Sequence, residues 1–166
     1  MPIGDTVPVS AEQLQVAADD YRITSADTLL RAQLHSSMVV CLYDAVGESG
    51  AMLHLRLAAP GQSRDPNLTD NTLSGNLSLL TRALRELSAT ASRAQHWQAR
   101  LVAQSEDHET ARARCEGLQA FIGEFLKDAG IRLVSAVAHL EPEVSVQFRP
   151  AMGQVQTLTA GSSNPP

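Results

Sequence analysis

Aromatic residues are scarce in this chain, at 4%, so any core must be built from the aliphatic side chains within its 43% of hydrophobic residues. Charge is sparse too. At 19% it lies below the usual quarter, yet the chain lacks the polar bias of a disordered protein. The net charge is −5, and Arg112 and Arg114 are the nearest thing to a basic cluster. Phosphate binding needs a concentrated basic face, so no nucleic-acid partner is expected. No apolar run approaches the roughly 18 residues of a membrane span, and no basic stretch followed by an apolar one opens the chain. A cytoplasmic protein without membrane insertion is the expectation. The two cysteines, Cys41 and Cys115, lie inside apolar patterns and suggest no disulfide scaffold. The histidines, His35, His54, His96, His108 and His139, show no metal-ligand spacing, so neither a metal nor a cofactor is expected.

What is present has the length of one domain, 166 residues, with no internal repeat. A single domain with a core from about 9 to 158 is expected, residues 1–8 and 159–166 being flexible ends. Leu14–Val16 and Tyr21–Thr24 read as short strands around an Asp19-Asp20 turn. Met38–Asp44 is a continuous, β-branched run, the pattern of a strand buried on both faces. After a Gly47–Gly50 turn, residues 52–57 alternate strictly. Leu53, Leu55 and Leu57 share one face, and Met52, His54 and Arg56 share the other. Residues 58–71 form a polar loop, with Thr69 or Asp70 as a helix cap. Leu73, Leu77, Leu80, Leu84 and Leu87 then mark an amphipathic helix.

A strand over Gln98–Val102 follows, then a second helix over Glu109–Ala129. That helix buries Leu118, Phe121, Ile122 and Phe125, and Gly130 stops it. Strands at Ile131–Ala138, at Val144–Phe148 and at Val155–Leu158 complete the chain. The fold class is α+β, a layered α/β sandwich with a mixed β-sheet packed on two principal helices.

Leu34, Ser36, Val40, Cys41, Leu42, Tyr43 and Asp44, then Gly50, Ala51, Met52 and His54, resemble the signature of the CheD family. There a Leu-Gly-Ser-Cys run leads into a buried strand ending in Tyr-Asp, and a Gly-(Gly/Ala)-Met-x-His strand follows. The Leu73 helix, the GIRLV segment at 130–134 and the VQFRPAMGQV ending match in pattern and order, so the likeness spans most of Val9–Leu158. The resemblance implies a layered α/β sandwich and a cysteine–histidine deamidase that converts glutamine side chains of chemoreceptors to glutamate. It also implies two partners, the chemoreceptor cytoplasmic region and a CheC-type phosphatase. In such an enzyme the thiolate attacks the side-chain amide, ammonia leaves, and water clears the thioester. A histidine lowers the thiol pKa and then serves as general acid.

Carried over by position, the general acid/base falls on His54 and the nucleophile on Ser37, a serine where the family has cysteine. His35 replaces a glycine two positions earlier, where its bulk is expected to crowd the turn that presents the nucleophile. The family's active-site threonine falls on Arg31 or Ala32, depending on a one-residue gap. The Ala-Lys-x-Phe-Gly-Gly-Ala stretch corresponds to ARLVAQS at 99–105, its glycines gone; Ile-Gly-x-x-Asn and the later Gly-Gly-Asn are missing. Decay is concentrated in the chemistry, while the buried pattern survives.

The leading expectation is a catalytically impaired CheD homologue that binds a chemotaxis partner. The alternatives are an amide hydrolase using Ser37 and His54, and an interaction module outside chemotaxis. Ser37 with His54 lacks an orienting third side chain in the sequence. Cys41, mid-strand, reads as a buried inert thiol, Cys115 as a cysteine at the core edge beside Arg114, and Trp97 as a buried ring.

Overall fold

The computed structural model describes residues 12–24, 28–44, 46–47, 49–57, 70–88, 97–150 and 152–159, except for the side chains of 70–74 and 88. Its elements are β1 (Glu12–Gln15), β2 (Asp20–Thr24), β3 (Thr28–Leu34), β4 (Ser37–Asp44), β5 (Ser49–Arg56), α1 (Asp70–Ser88), β6 (Trp97–Gln104), α2 (Glu109–Asp128), β7 (Arg132–His139), β8 (Val144–Arg149) and β9 (Gln154–Thr159). They form two mixed sheets, one ordered β1-β3-β8-β9 and the other β2-β5-β4-β6-β7.

Three layers result. Val39, Cys41, Met52 and Val102 of the five-stranded sheet meet Leu30, Ala32, Leu34, Val144, Val146 and Phe148 of the four-stranded sheet in one apolar cluster. On the opposite face, Met38, Val40, Leu42, Leu53, Leu55 and Leu57 pack with Leu80 and Leu87 of α1 and Leu118, Ile122 and Leu126 of α2. β4 lies between β5 and β6 and has a core on each face, which is why its sequence is apolar without alternation.

The layered α+β class and the two helices agree with the sequence reading. The strand β3 does not appear in it. Thr28, Leu30, Ala32 and Leu34 point inward in period two, but the adjacent Leu29 and Leu30 blur the alternation and alanine is a weak strand former. The α2 stripe is also rotated from the expected one. Cys115, Leu118, Ile122 and Leu126 are buried, while Phe121 and Phe125 are only partly so. Gly130 ends that helix with φ +79, the left-handed geometry expected of a glycine stop.

Residues 70 and 71 belong to α1, which shortens the expected 58–71 loop; 58–69, Thr69 included, lie outside the described residues. So do His96 and both expected flexible ends, except Thr159, which is still in β9. Among the described residues no helix is long and apolar enough to cross a membrane, and no group of three potential metal ligands occurs.

Candidate functional site

Two chain crossings between the sheets meet at one end of the sandwich. The first, residues 16–19, carries the chain from β1 to β2; the second, His35 and Ser36, carries it from β3 to β4. Ser37 opens β4 and His54 lies on β5, with Val39 as His54's direct cross-strand partner. Side chains alternate along a strand, so Ser37, Val39 and His54 share the face toward the second sheet. The structure thus brings the two sequence-predicted residues together: His54 Nε2 is 2.8 Å from Ser37 Oγ.

The first crossing straps the histidine in place. His54 Nδ1 is 2.9 Å from the carbonyl oxygen of Val16, and the backbone N–H of Asp19 donates to the carbonyl of His54 at 2.8 Å. Val16 is itself tied to β3 through its N–H to the Arg31 carbonyl, at 2.7 Å. Arg56 and Asp19 close the strap with an ion pair. A carbonyl only accepts, so Nδ1 carries the ring proton and Nε2 is left as the acceptor for the Ser37 hydroxyl. Ser37 Oγ in turn accepts from the His35 N–H at 3.1 Å. The orienting group that the side chains did not reveal is a backbone carbonyl, for which a sequence holds no signal.

Burial dominates the electrostatics. Ser37 and His54 are each only 3% exposed. Loss of hydration lowers the His54 pKa from its ordinary value; the hydrogen bond to Val16 opposes this, Arg56 adds to it, and Asp19 opposes it. The imidazole is therefore neutral at neutral pH, the form a general base needs.

This shift has a stability consequence. The unfolded chain takes up a proton at about pH 6.5 where the folded one does not, so His54's contribution is complete above that value and lost as pH falls through its lowered folded value. Denaturant midpoints of the wild type and of His54→Leu should therefore converge between about pH 7.5 and about pH 5. A gap that stays constant with pH would mean that His54 does not titrate in this way.

The other candidates are dispersed. His35 is exposed and does not crowd the turn; the left-handed residue there is Ser36, with φ 52. Arg31 reaches outward to Gln13 Oε1 at 3.0 Å, and Ala32 is buried between the sheets, so neither replaces the threonine hydroxyl. Cys41 is buried and its pKa strongly raised by burial, and Cys115 is pushed up to about 11, chiefly by burial and then by Glu116. Both match the expected inert thiols. Trp97 is buried, and the His108 side chain caps α2 by accepting from the Ala111 N–H at 3.2 Å.

Sequence reasoning missed Gln104. At the end of β6 it is the cross-strand partner of Ser37, it is 2% exposed, and its Oε1 accepts from the Ser36 N–H at 2.6 Å. Its Nε2 donates to the carbonyls of Glu141 at 2.9 Å and Ser105 at 3.2 Å. Gln104 occupies the second glycine position of the stretch matched at 99–105. The loss of that glycine was the available signal.

The chain is 31% identical over 81 residues to a protein of Syntrophomonas wolfei subsp. wolfei named as a probable chemoreceptor glutamine deamidase CheD. The match covers 48% of this chain and 50% of that protein. Over that stretch the chain is similar to CheD. It thus spans about half the length of the curated relative it matches. No family model matches it. The crystal structure of Neisseria meningitidis protein NMB0706, from the family DUF152, has a similar backbone. The TM-score is 0.52 at 14% identity, over 79% of this chain and 65% of that one, a likeness of fold alone.

Several CheD-like motif residues have plain structural work. Asp44 Oδ1 accepts from the Val46 N–H at 3.0 Å, capping the β4–β5 turn, and the Tyr43 ring lies against Gly153 in the β8–β9 turn.

Proposed function

We propose that this CheD-like protein is a cytoplasmic chemotaxis component that binds a chemoreceptor cytoplasmic region or a CheC-type phosphatase without hydrolysing glutamine. The observation that carries this reading is the state of the nucleophile position. A serine stands there, 3% exposed, and Gln104 occupies the backbone donor next to it. A serine hydroxyl is a far weaker acid than a thiol, and it needs both a positioned base and a free set of oxyanion donors. Here the base is present, but the neighbouring amides are taken: His35 N–H by Ser37 itself and Ser36 N–H by Gln104. Loss of turnover does not remove the surface around the site. Arg56 and Asp19 on its rim remain partly exposed.

A second reading, a serine-dependent amide hydrolase, is favoured by one feature. The Val16 carbonyl holds His54 in the tautomer that accepts a proton from Ser37. The burial of the pair weighs against it.

Titration calorimetry with purified chemoreceptor cytoplasmic fragments and with the phosphatase tests the binding role. Heat of association is expected with at least one of them. Arg56 pairs with Asp19 in the strap that holds His54, so Arg56→Glu would disturb the site as well as the surface. No heat with either partner at high-micromolar concentration would remove the chemotaxis role and leave only the fold.

A further inference from the structure

We propose that the protein forms a two-fold symmetric dimer in which β7 pairs antiparallel with β7 of a second copy, joining two five-stranded sheets into one. β7 is an outer strand of its sheet, and among the described residues no strand pairs with its other edge. An open edge is a template for a further strand, and proteins blunt it with charge, proline or short length. The other three outer strands are blunted or polar. β1 has four residues and starts at Glu12, β2 carries Asp20 and Arg22, and β9 presents Gln154 and Gln156. β7 is eight residues long, and between Arg132 and His139 it reads Leu-Val-Ser-Ala-Val-Ala, with neither a charge nor a proline. Leu133, Val134 and Val137, with Leu140 just beyond the strand, account for half of the large apolar side chains exposed among the described residues.

The strand is complementary to itself. β7 has one residue more than β6 between Leu133 and Ser135, so Val134 is bulged out of register. Leu133 and Ala136, beside Ala99 and Leu101, then lie on the helix-covered face, and Val137, beside Val102, lies on the other. A two-fold axis normal to the sheet preserves its faces, so only residues of the same face can sit opposite each other. An axis through Val137 meets this condition. Val137 opposes its own copy, Ala136 opposes Ala138, and Ser135 opposes His139. Past the bulge, Leu133 meets Leu140 of the second copy and Arg132 meets its Glu141. Arg132 and Glu141 are both exposed. The register thus sets an ion pair at each end of the joint, with apolar pairs between them. A second copy matches the edge in strand direction, apolar surface and charge.

Sedimentation velocity of the purified protein over a range of micromolar concentrations tests this. The wild type is expected as a monomer–dimer equilibrium without larger species, because pairing consumes the open edge of both copies. Val137→Lys sets two cations against each other on the axis and should give monomer at every concentration. Arg132→Glu and Glu141→Arg should each weaken the dimer about tenfold, since either change acts twice across the axis. The double variant should recover the wild-type affinity. All three side chains are exposed, and circular dichroism checks the fold of each variant. If Val137→Lys fails to fold, the charge-reversal series alone decides the register. A wild type that stays monomeric at high-micromolar concentration, or that grows beyond a dimer, would overturn the proposal. So would a dimer that a folded Val137→Lys leaves intact, or a double variant that binds no tighter than the single ones.

Discussion

Replacing Gly50 by alanine is expected to destabilise the protein by about 3 kcal/mol. A Cβ at that position would lie 2.2 Å from the carbonyl oxygen of Leu42 on the neighbouring strand and 3.2 Å from Pro150. Leu42 sits in the centre of the five-stranded sheet, held by β5 on one side and β6 on the other, so its backbone has little room to retreat. Overpacking against fixed backbone costs more than overpacking against a side chain, which can change rotamer. Gly50 is one of the motif residues that carry the CheD resemblance, and its requirement is steric rather than chemical. Urea denaturation of Gly50→Ala would check this; a midpoint unchanged from the wild type would mean that the strands separate at no cost.

Steric and packing demands of this kind made the fold legible in the sequence, and the site only half so. The double-sided burial of β4 is written in its unbroken apolar run, and the face alternation of β5 correctly put His54 opposite the leucines. Tyr43, Asp44, Gly50 and Gly153 serve a turn, a close approach and a ring contact, work that belongs to the fold rather than to chemistry. Ser37 and His54 were paired by the CheD resemblance, and the folded strands bring them within hydrogen-bond distance. The carbonyl of Val16 and the amides of His35 and Ser36 could not be read, because every residue has the same backbone groups and only folding aims them. β3 escaped for a different reason, since Leu29 and Ala32 dilute its alternation. Gln104 lay in between: the missing glycine was visible, but its consequence depends on the β4–β6 register.

Restoring the thiol alone should not restore chemistry. In Ser37→Cys the His54 imidazole is still poised as an acceptor, held by Val16, and would favour the thiolate. On nucleophilicity alone, a large gain over serine would follow. Gln104 still holds the Ser36 N–H, however, and the pair remains buried. A reacting amide must approach to within about 3–3.5 Å in the right orientation, and the Ser36 N–H beside the nucleophile position is already bonded to Gln104. Ser37→Cys is therefore expected to hydrolyse glutamine no faster than the wild type. Family-level activity in that single variant would show that the serine alone silences the site and that Gln104 yields to substrate.

The measurement that bears most directly on the central claim is glutamine-to-glutamate conversion in purified chemoreceptor cytoplasmic fragments, read by peptide mass spectrometry. Wild type, Ser37→Ala and His54→Ala would be incubated in parallel with a sample lacking the protein. The expected result is the same background conversion in all four. Conversion by the wild type that disappears in Ser37→Ala or His54→Ala would contradict the account and establish a working serine–histidine pair.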